Sequence, residues 1–427
     1  MSTSCEIKFD ENPYGVYFPG QTLSGTVELR LGETVKVKGV ALQIKGIAEV
    51  RWNESTGTGK NRRTIHYHGR QDYMNSTTYL AGSKDGNNID LLPGIHTYRF
   101  SCVLPINLIT SLEAEHGHVR YTVKIILERS WKVDNSYKVA FTVLRHVDLN
   151  EENFDVRLPS KMAKQKTFCC GPCSSAPMLI TAETPITGYV PGQTIAVRIE
   201  VDNQSNKQLE EISTKLLRVV SFISQTPYTR VKTLSTTVAQ VRCAGVQRQN
   251  KGSFVQHLLI PPLPPTSKTC QVLTVNYMVE VEGRISGPAI NPKIHLPIML
   301  GTIPLTTTAI PNFDSVANMT TPIVVQPMAS APNQTPALPA DLRKYQTVYR
   351  EISFSKSYCP TAPPSYEQAV LGSAVNIQEE GETNEIGWRE YTPRYAVYRF
   401  NETTAPAAPP SEPTVGFESN GGSMQKY

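Results

Sequence analysis

The chain has 427 residues, of which 39% are hydrophobic and 19% are charged, so it is long enough for two hydrophobic cores and a tail. Its 42 Lys and Arg residues and 37 Asp and Glu residues leave a net charge of only +5, which argues against a nucleic-acid partner. The first residues lack the basic start and apolar run of a secretory signal, and no apolar stretch reaches the length of a membrane span, about 20 residues. We therefore expect a cytoplasmic protein.

The pattern Tyr-x-Pro-Gly-Gln-Thr occurs twice, at residues 17–22 and 189–194. Apolar and polar residues alternate strictly after each copy, and a period of two is typical of a strand with one buried face. Pro-Gly ahead of the alternation indicates a tight turn. We predict a turn followed by a half-buried strand over residues 22–31 and again over residues 194–202.

A second pair of alternating segments contains Val-Arg-Tyr around Tyr121 and Val-Asn-Tyr around Tyr277. Each lies well after its Pro-Gly turn, at a similar distance along the chain. Two tandem domains of related design account for both pairs.

The first half of the chain carries several local signals of secondary structure. The apolar phase slips at Gly39, which predicts a β-bulge, and the polar stretch 51–69 predicts an exposed hairpin loop rather than an anion site. Another strand is expected from Gly94, followed by a short helix over residues 107–115. No repeated helical period joins the strands, which favours antiparallel sandwiches over crossover α/β folds.

The predicted organisation has four parts: a first domain over residues 5–150, a linker over 151–176, a second domain over 177–305 and a tail over 306–427. Both domains are expected to be all-β, immunoglobulin-like antiparallel sandwiches. Pro, Ala, Ser and Thr dominate the tail and its apolar periodicity vanishes, so we predict that it is disordered. The prolines of segment 260–265 precede a strand inside the second domain, which favours an ordered turn over a free docking peptide.

No residue pattern indicates catalysis, a metal or a cofactor, so we expect no enzyme activity. Two histidine pairs have the spacing that places both side chains on one face of a strand, but neither pair has further ligands nearby to complete a zinc site. We interpret them as loop histidines: His66 with His68, and His116 with His118. Three linker cysteines cluster without a fourth ligand, and whether they are acylated stays open: Cys169, Cys170 and Cys173.

The most informative motif lies in the tail. Pro363, Pro364 and Tyr366 form the Pro-Pro-x-Tyr peptide that WW domains bind, and prolines preset the extended helix that docks with little loss of entropy. A chance match is the alternative, but a flexible segment favours docking. Downstream, Pro393 and Tyr395 repeat the motif without its first proline and predict a second, weaker WW-binding site.

The order of these features resembles the α-arrestins, the arrestin domain-containing family that includes thioredoxin-interacting protein. The features are the Tyr-x-Pro-Gly-Gln turns, the Leu-Pro before the Val-Arg-Tyr strand, the Cys-Cys linker, the Pro-Pro-Leu-Pro-Pro segment and the Pro-Pro-x-Tyr tail. The resemblance covers residues 5–305 and the tail motif. It implies two arrestin-like domains.

The resemblance also implies an adaptor function. Arrestin-like domains would engage membrane receptors or transporters, and the tail would recruit WW-domain HECT-type ubiquitin ligases for ubiquitination and endocytosis at the plasma membrane and endosomes. Two alternatives stay open: a redox regulator that binds thioredoxin through Cys243, and a retromer-like sorting scaffold. The first requires a reactive thiol, and the second does not require Tyr366.

Overall fold

The computed structural model of the protein describes residues 3–130, 134–168, 176–306, 374–378 and 390–398. In these ranges the regular structure consists of strands and of two short 3-10 turns, Gly59–Asn61 and Phe154–Arg157. None of the described segments forms a helix long and apolar enough to cross a membrane.

The described strands of the first domain form two main sheets. The strands are β1 Ser4–Phe9, β2 Val16–Tyr17, β3 Thr22–Leu31, β4 Val35–Val37, β5 Gly39–Thr56, β6 Arg63–Gly82, β7 Ile89–Leu91, β8 Gly94–Val103, β9 Leu112–Ala114, β10 Gly117–Glu128 and β11 Asn135–Val143. One sheet has the order β1-β3-β8 and the other β2-β11-β10-β5-β6, with β9 on β10 and a separate β4-β7 pair. Buried apolar residues from both main sheets form the core.

The second domain repeats this plan. Its described strands are β12 Ser160–Lys166, β13 Met178–Thr184, β14 Gly188–Tyr189, β15 Thr194–Asn203, β16 Leu209–Ile223, β17 Val231–Ala244, β18 Asn250–Leu259, β19 Leu273–Ile285 and β20 Lys293–Leu300. The sheets have the orders β12-β13-β15-β18 and β14-β20-β19-β16-β17. The predicted pair of tandem sandwiches is confirmed. Strand β12 lies inside the segment predicted as a linker, where it pairs with β13 of the second domain.

The repeated Pro-Gly turns have the same geometry in both domains. Gly20 and Gly192 adopt φ angles of +83° and +93°, which favour glycine because a side chain would be strained there. The Gln21 and Gln193 side chains each accept a hydrogen bond from the backbone N–H three residues earlier, at 2.9 and 2.8 Å. The alternation that follows is confirmed, since the apolar residues of β3 and β15 are buried.

The predicted short helix over residues 107–115 is wrong. The Tyr121 hydroxyl donates to the carbonyl of Ile109 at 2.7 Å and accepts from its N–H at 3.1 Å, so both backbone groups are withdrawn from any helix. Ser111 donates its N–H to the carbonyl of Val143 at 2.8 Å, so its backbone is also bound outside any helix. Residues 112–114 form strand β9 instead.

Tyr277 has the matching role in the second domain. Its hydroxyl donates to the carbonyl of Pro264 at 2.7 Å, and Leu263 beside it is buried. Segment 260–265 is therefore ordered, as predicted, with a bend at Pro262 rather than a hydrogen-bonded turn.

The two other local predictions in the first domain need correction. The chain changes sheets between Val37 and Gly39, and the irregular register lies one step later, between Val40 and Ala41. The expected loop over 51–69 is a continuation of β5 and β6, and only residues 57–62 connect them.

Stacking explains why this polar hairpin stays extended. The rings of Trp52 and Tyr67 are nearly parallel at 5.0 Å, and both side chains are buried. Aromatic cross-strand pairs of this kind stabilise a sheet even where the remaining residues are polar.

Strand β6 of this hairpin also contacts the second domain. The Tyr67 and Tyr228 hydroxyls are 2.6 Å apart, and His68 exchanges backbone hydrogen bonds of 3.0 and 2.9 Å with Thr226. A second contact joins Val147 to Thr302, whose hydroxyl accepts from the Val147 N–H at 2.7 Å. The two domains therefore contact each other through two different segments of the first domain.

Candidate functional site

Two short pieces of the segment predicted as a disordered tail have a defined place on the domains. Strand β21, Val375–Asn376, pairs with β22, Glu390–Tyr391, and the described residues continue from β22 to residue 398. We call residues 390–398 the tail segment. Its three tyrosines follow one another at spacings of four and three, as Tyr391, Tyr395 and Tyr398, and each hydroxyl hydrogen-bonds to a domain.

Tyr391 attaches the tail segment to strand β11. Its hydroxyl donates to the carbonyl of Phe141 at 3.2 Å and lies 3.1 Å from the Thr142 hydroxyl. The same Thr142 oxygen accepts from the backbone N–H of Arg394 at 3.2 Å. Burial raises the pKa of Tyr391 far above its ordinary value, so this hydroxyl remains a neutral donor.

Tyr395 reaches deeper into the first domain. Its hydroxyl donates to the carbonyl of Ser111 at 2.9 Å, and only 6% of the residue is exposed. Pro393 is buried beside it. The two residues of the predicted weaker WW-binding site thus lie close together, but both are buried and neither is exposed to a partner. That site stays a prediction, and it requires a state in which the tail segment has left the domains.

Tyr398 extends the attachment to the second domain. Its N–H donates to the carbonyl of Pro191 at 3.1 Å, and its hydroxyl donates to the carbonyl of Thr302 at 2.5 Å. A Cβ added to Gly192 would lie 2.0 Å from the Tyr398 carbonyl oxygen, whereas one added to the equivalent Gly20 would meet only an isoleucine methyl at 3.5 Å. The second Pro-Gly turn therefore receives the tail segment, and the first does not.

We call the surface formed by Ser111, Thr142, Pro191 and Thr302 the junction groove, because it takes residues from both domains. Sequence reasoning missed it. The signals that were present were the regular tyrosine spacing in the tail and the repeated glycine turn, but neither says which surface the tyrosines bind.

A buried ion pair lies near this groove. Arg120 binds Glu113 through two hydrogen bonds of 2.8 Å, and the two side chains are 8% and 11% exposed. Burial raises the pKa of Glu113 although Arg120 acts in the opposite direction. The negative charge of Glu113 raises the pKa of the Tyr391 hydroxyl and the positive charge of Arg120 lowers it. This ion pair is therefore part of the surroundings of the tail segment.

The histidine pairs do not form a metal site in the described part of the chain. No group of three or more His, Cys, Asp or Glu side chains there could hold a metal ion. His66 and His68 lie in strand β6 rather than in a loop, and bind Asn53 at 2.8 Å and Glu49 at 2.9 Å.

The second histidine pair is also only partly in a loop. His116 precedes strand β10 and His118 lies within it. Burial lowers the pKa of His118 to about 3, and the positive charge of Arg120 acts in the same direction. His118 is therefore neutral in the folded protein at physiological pH.

Cys243 lies in strand β17, opposite Ile212 of strand β16. Its side chain is half-buried, and burial raises the pKa of its thiol. Because thiol–disulfide exchange needs the thiolate, this environment does not favour reaction with thioredoxin, and the role stays a prediction. The clustered Cys169, Cys170 and Cys173 lie outside the described residues.

The Pro363, Pro364 and Tyr366 motif also lies outside the described residues. The described residues that flank this gap in the chain are Thr306, which binds Asn150 through two hydrogen bonds of 2.8 and 2.9 Å, and Ala374.

Two tandem β-sandwiches built on one repeated turn, with a tail segment bound across their junction, define an arrestin-type two-domain protein. Residues 5–150 match the family model of the arrestin (or S-antigen) N-terminal domain, and residues 174–305 match that of the arrestin (or S-antigen) C-terminal domain. The chain belongs to the arrestin domain-containing, or alpha-arrestin, family.

Curated relatives agree with this assignment over most of their length. Arrestin domain-containing protein 17 of Caenorhabditis elegans is 29% identical over 92% of this chain and 98% of its own. Arrestin domain-containing protein 4 of Homo sapiens is 28% identical over 86% of each chain, and arrestin domain-containing protein 1 of Rattus norvegicus is 26% identical over 75% of this chain and 69% of its own. Family membership makes the protein an adaptor in protein trafficking in general terms.

Proposed function

We propose that the protein links membrane receptors or transporters to HECT-type ubiquitin ligases that carry WW domains. The ligase would ubiquitinate the bound cargo and so promote its endocytosis and endosomal sorting. The adaptor would work in the cytoplasm and be recruited to the plasma membrane and endosomes. The observation that carries this proposal is the Pro-Pro-x-Tyr sequence at Pro363, Pro364 and Tyr366 in a chain of the arrestin domain-containing family.

Chain connectivity supports the proposal. Tyr366 precedes Ala374, the first residue of the described tail pieces, by eight positions. Eight residues span at most about 28 Å. A WW domain bound at Tyr366 would therefore be held close to the first domain while the described tail pieces stay attached. Cargo bound on the first domain would then be close to the attached ligase.

The cargo would be recognised by the surfaces of the sandwiches rather than by the tail. No catalytic or cofactor step is needed for this function, because the ligase supplies the chemistry.

The test is a binding titration of the full chain against a panel of ligase WW domains. We expect micromolar affinity, about −8 kcal/mol, and loss of binding in Tyr366→Ala. The matched control is Tyr358→Ala, which removes a nearby tail tyrosine outside the motif and should leave the affinity unchanged. Absence of binding across the panel, or equal binding by Tyr366→Ala, would contradict the proposal.

A further inference from the structure

We propose that the junction groove is a peptide-binding site whose resident ligand is the chain's own tail segment, and that release of this segment exposes Pro393 and Tyr395 as a second WW ligand. The second half of the proposal rests on the proposed function. The first half stands independently of it, on the contacts between the tail segment and the two domains.

The tail segment binds as a ligand rather than as a strand of either sandwich. Among the residues that the structure describes, it adds no strand to the sheets of either domain, and β22 pairs with β21. A backbone–backbone hydrogen bond joins it to the domains, from the Tyr398 N–H to the Pro191 carbonyl, and its other hydrogen bonds named above involve side chains. Its release would therefore leave the hydrogen-bond ladders of both sandwiches intact.

The groove selects tyrosine through its acceptors. The Tyr391, Tyr395 and Tyr398 hydroxyls each donate to a backbone carbonyl oxygen of a domain. A row of carbonyl oxygens accepts a phenol proton, but it repels the negative charge and the acceptor oxygens of a phosphorylated tyrosine. The groove is therefore specific for unmodified tyrosines at spacings of four and three.

Occupancy of the groove and WW binding at the second motif exclude each other. A WW domain has to enclose the tyrosine and proline side chains, and in the groove Tyr395 and Pro393 are both buried. The bound state thus offers one WW ligand, at Tyr366, and the released state offers two. Two linked ligands bind several WW domains up to about a hundredfold more tightly through effective concentration.

Gly192→Ala tests release without altering the tail. The added Cβ would lie 2.0 Å from the Tyr398 carbonyl oxygen, so we expect hydrogen exchange of residues 390–398 in the full chain to accelerate at least tenfold. Gly20→Ala is the matched control, since it places the same strain in the equivalent turn without contacting the tail segment. Equal exchange in wild type and Gly192→Ala, or equal acceleration by Gly20→Ala, would overturn the proposal.

A fluorescent synthetic peptide of residues 388–400 tests the groove in trans. Tyr395→Ala weakens the resident ligand, so the full-length variant should bind the peptide at least tenfold more tightly than the wild type does. The same peptide phosphorylated at Tyr395 should not bind. Tyr395→Phe, which removes only the hydroxyl, provides a second variant and should give an intermediate affinity. Equal binding by wild type and both variants, or binding of the phosphorylated peptide, would overturn the proposed groove.

The link to WW binding is tested in chains that lack the first motif. Tyr366→Ala should not bind WW domains, the double variant Tyr366→Ala/Gly192→Ala should regain binding, and adding Tyr395→Ala should abolish it again. Failure of the double variant to regain binding would overturn the second half of the proposal. If WW domains do not bind the wild type either, the proposed function fails, and the exchange and peptide experiments still decide the groove.

Discussion

The Tyr395 hydroxyl donates a hydrogen bond of 2.9 Å to the carbonyl oxygen of Ser111, although 284 residues separate the two positions in the chain. The acceptor is rigidly held. Ser111 is fully buried, its N–H donates to Val143, and its hydroxyl accepts from the Val143 N–H at 2.9 Å. The tail segment therefore binds a part of the first domain that is already fixed by its hydrogen bonds to Val143.

Tyr121→Phe should destabilise the first domain by about 1–3 kcal/mol, because it leaves the buried N–H and carbonyl of Ile109 without their partner. Denaturant unfolding measures the change in the free energy of unfolding. Tyr137→Phe is the matched control, since the Tyr137 hydroxyl is buried without a hydrogen-bond partner among the described residues. Its removal should be neutral or stabilising, and an equal loss in both variants would contradict the anchoring role.

Arg120→Met should cost about 3–5 kcal/mol, because it leaves the buried carboxylate of Glu113 without its ion-pair partner. The double variant Glu113→Leu/Arg120→Met should be less destabilised than Arg120→Met alone. A double-mutant cycle by chemical denaturation measures this coupling. Lys161→Met, which removes an exposed lysine from its pair with the partly exposed Glu183, should change stability little. Additive effects of the Glu113 and Arg120 substitutions would show that the two residues do not interact.

The stability of the first domain should fall as the pH decreases from about 6.5 toward 3. Burial lowers the folded pKa of His118 to about 3 from an ordinary value of 6.5, so below pH 6.5 the unfolded chain gains a proton that the folded chain does not. The folded state should lose about 2 kcal/mol between pH 7.5 and pH 5 from this residue alone.

Unfolding of His118→Gln over the same pH range is the measurement, and this variant should lose about 2 kcal/mol less than the wild type. His257→Gln, which removes an exposed imidazole, should follow the wild type. If the wild type and His118→Gln have the same pH dependence, His118 is not buried in its neutral form.

Cys243 should react slowly with iodoacetamide at pH 7.5, because burial raises the pKa of its thiol and reduces the thiolate fraction. Mass spectrometry of the alkylated chain should find a rate at least several-fold below that of the same cysteine in guanidinium. A rate equal to or above the unfolded value would favour the thioredoxin-binding alternative.

Local periodicity was enough to predict much of the architecture. The alternation in β3 and β15, the paired glycine turns and the tyrosines of β10 and β19 are visible as patterns within about ten residues, because burial on one face of a strand imposes a period of two. The helix over 107–115 could not be rejected in this way, because the group that withdraws the Ile109 backbone from a helix is the hydroxyl of Tyr121, on another strand.

The amino-acid sequence by itself determined the two-domain repeat, the all-β class, the alpha-arrestin resemblance and the chemistry of the Pro-Pro-x-Tyr motif. Only the tertiary structure decided that Pro393 and Tyr395 are buried, and that the second Pro-Gly turn rather than the first receives the tail segment. The physical reason is that strand periodicity is a property of neighbouring residues. Accessibility and hydrogen bonding in the junction groove depend on two domains and a tail that meet only after the chain has folded.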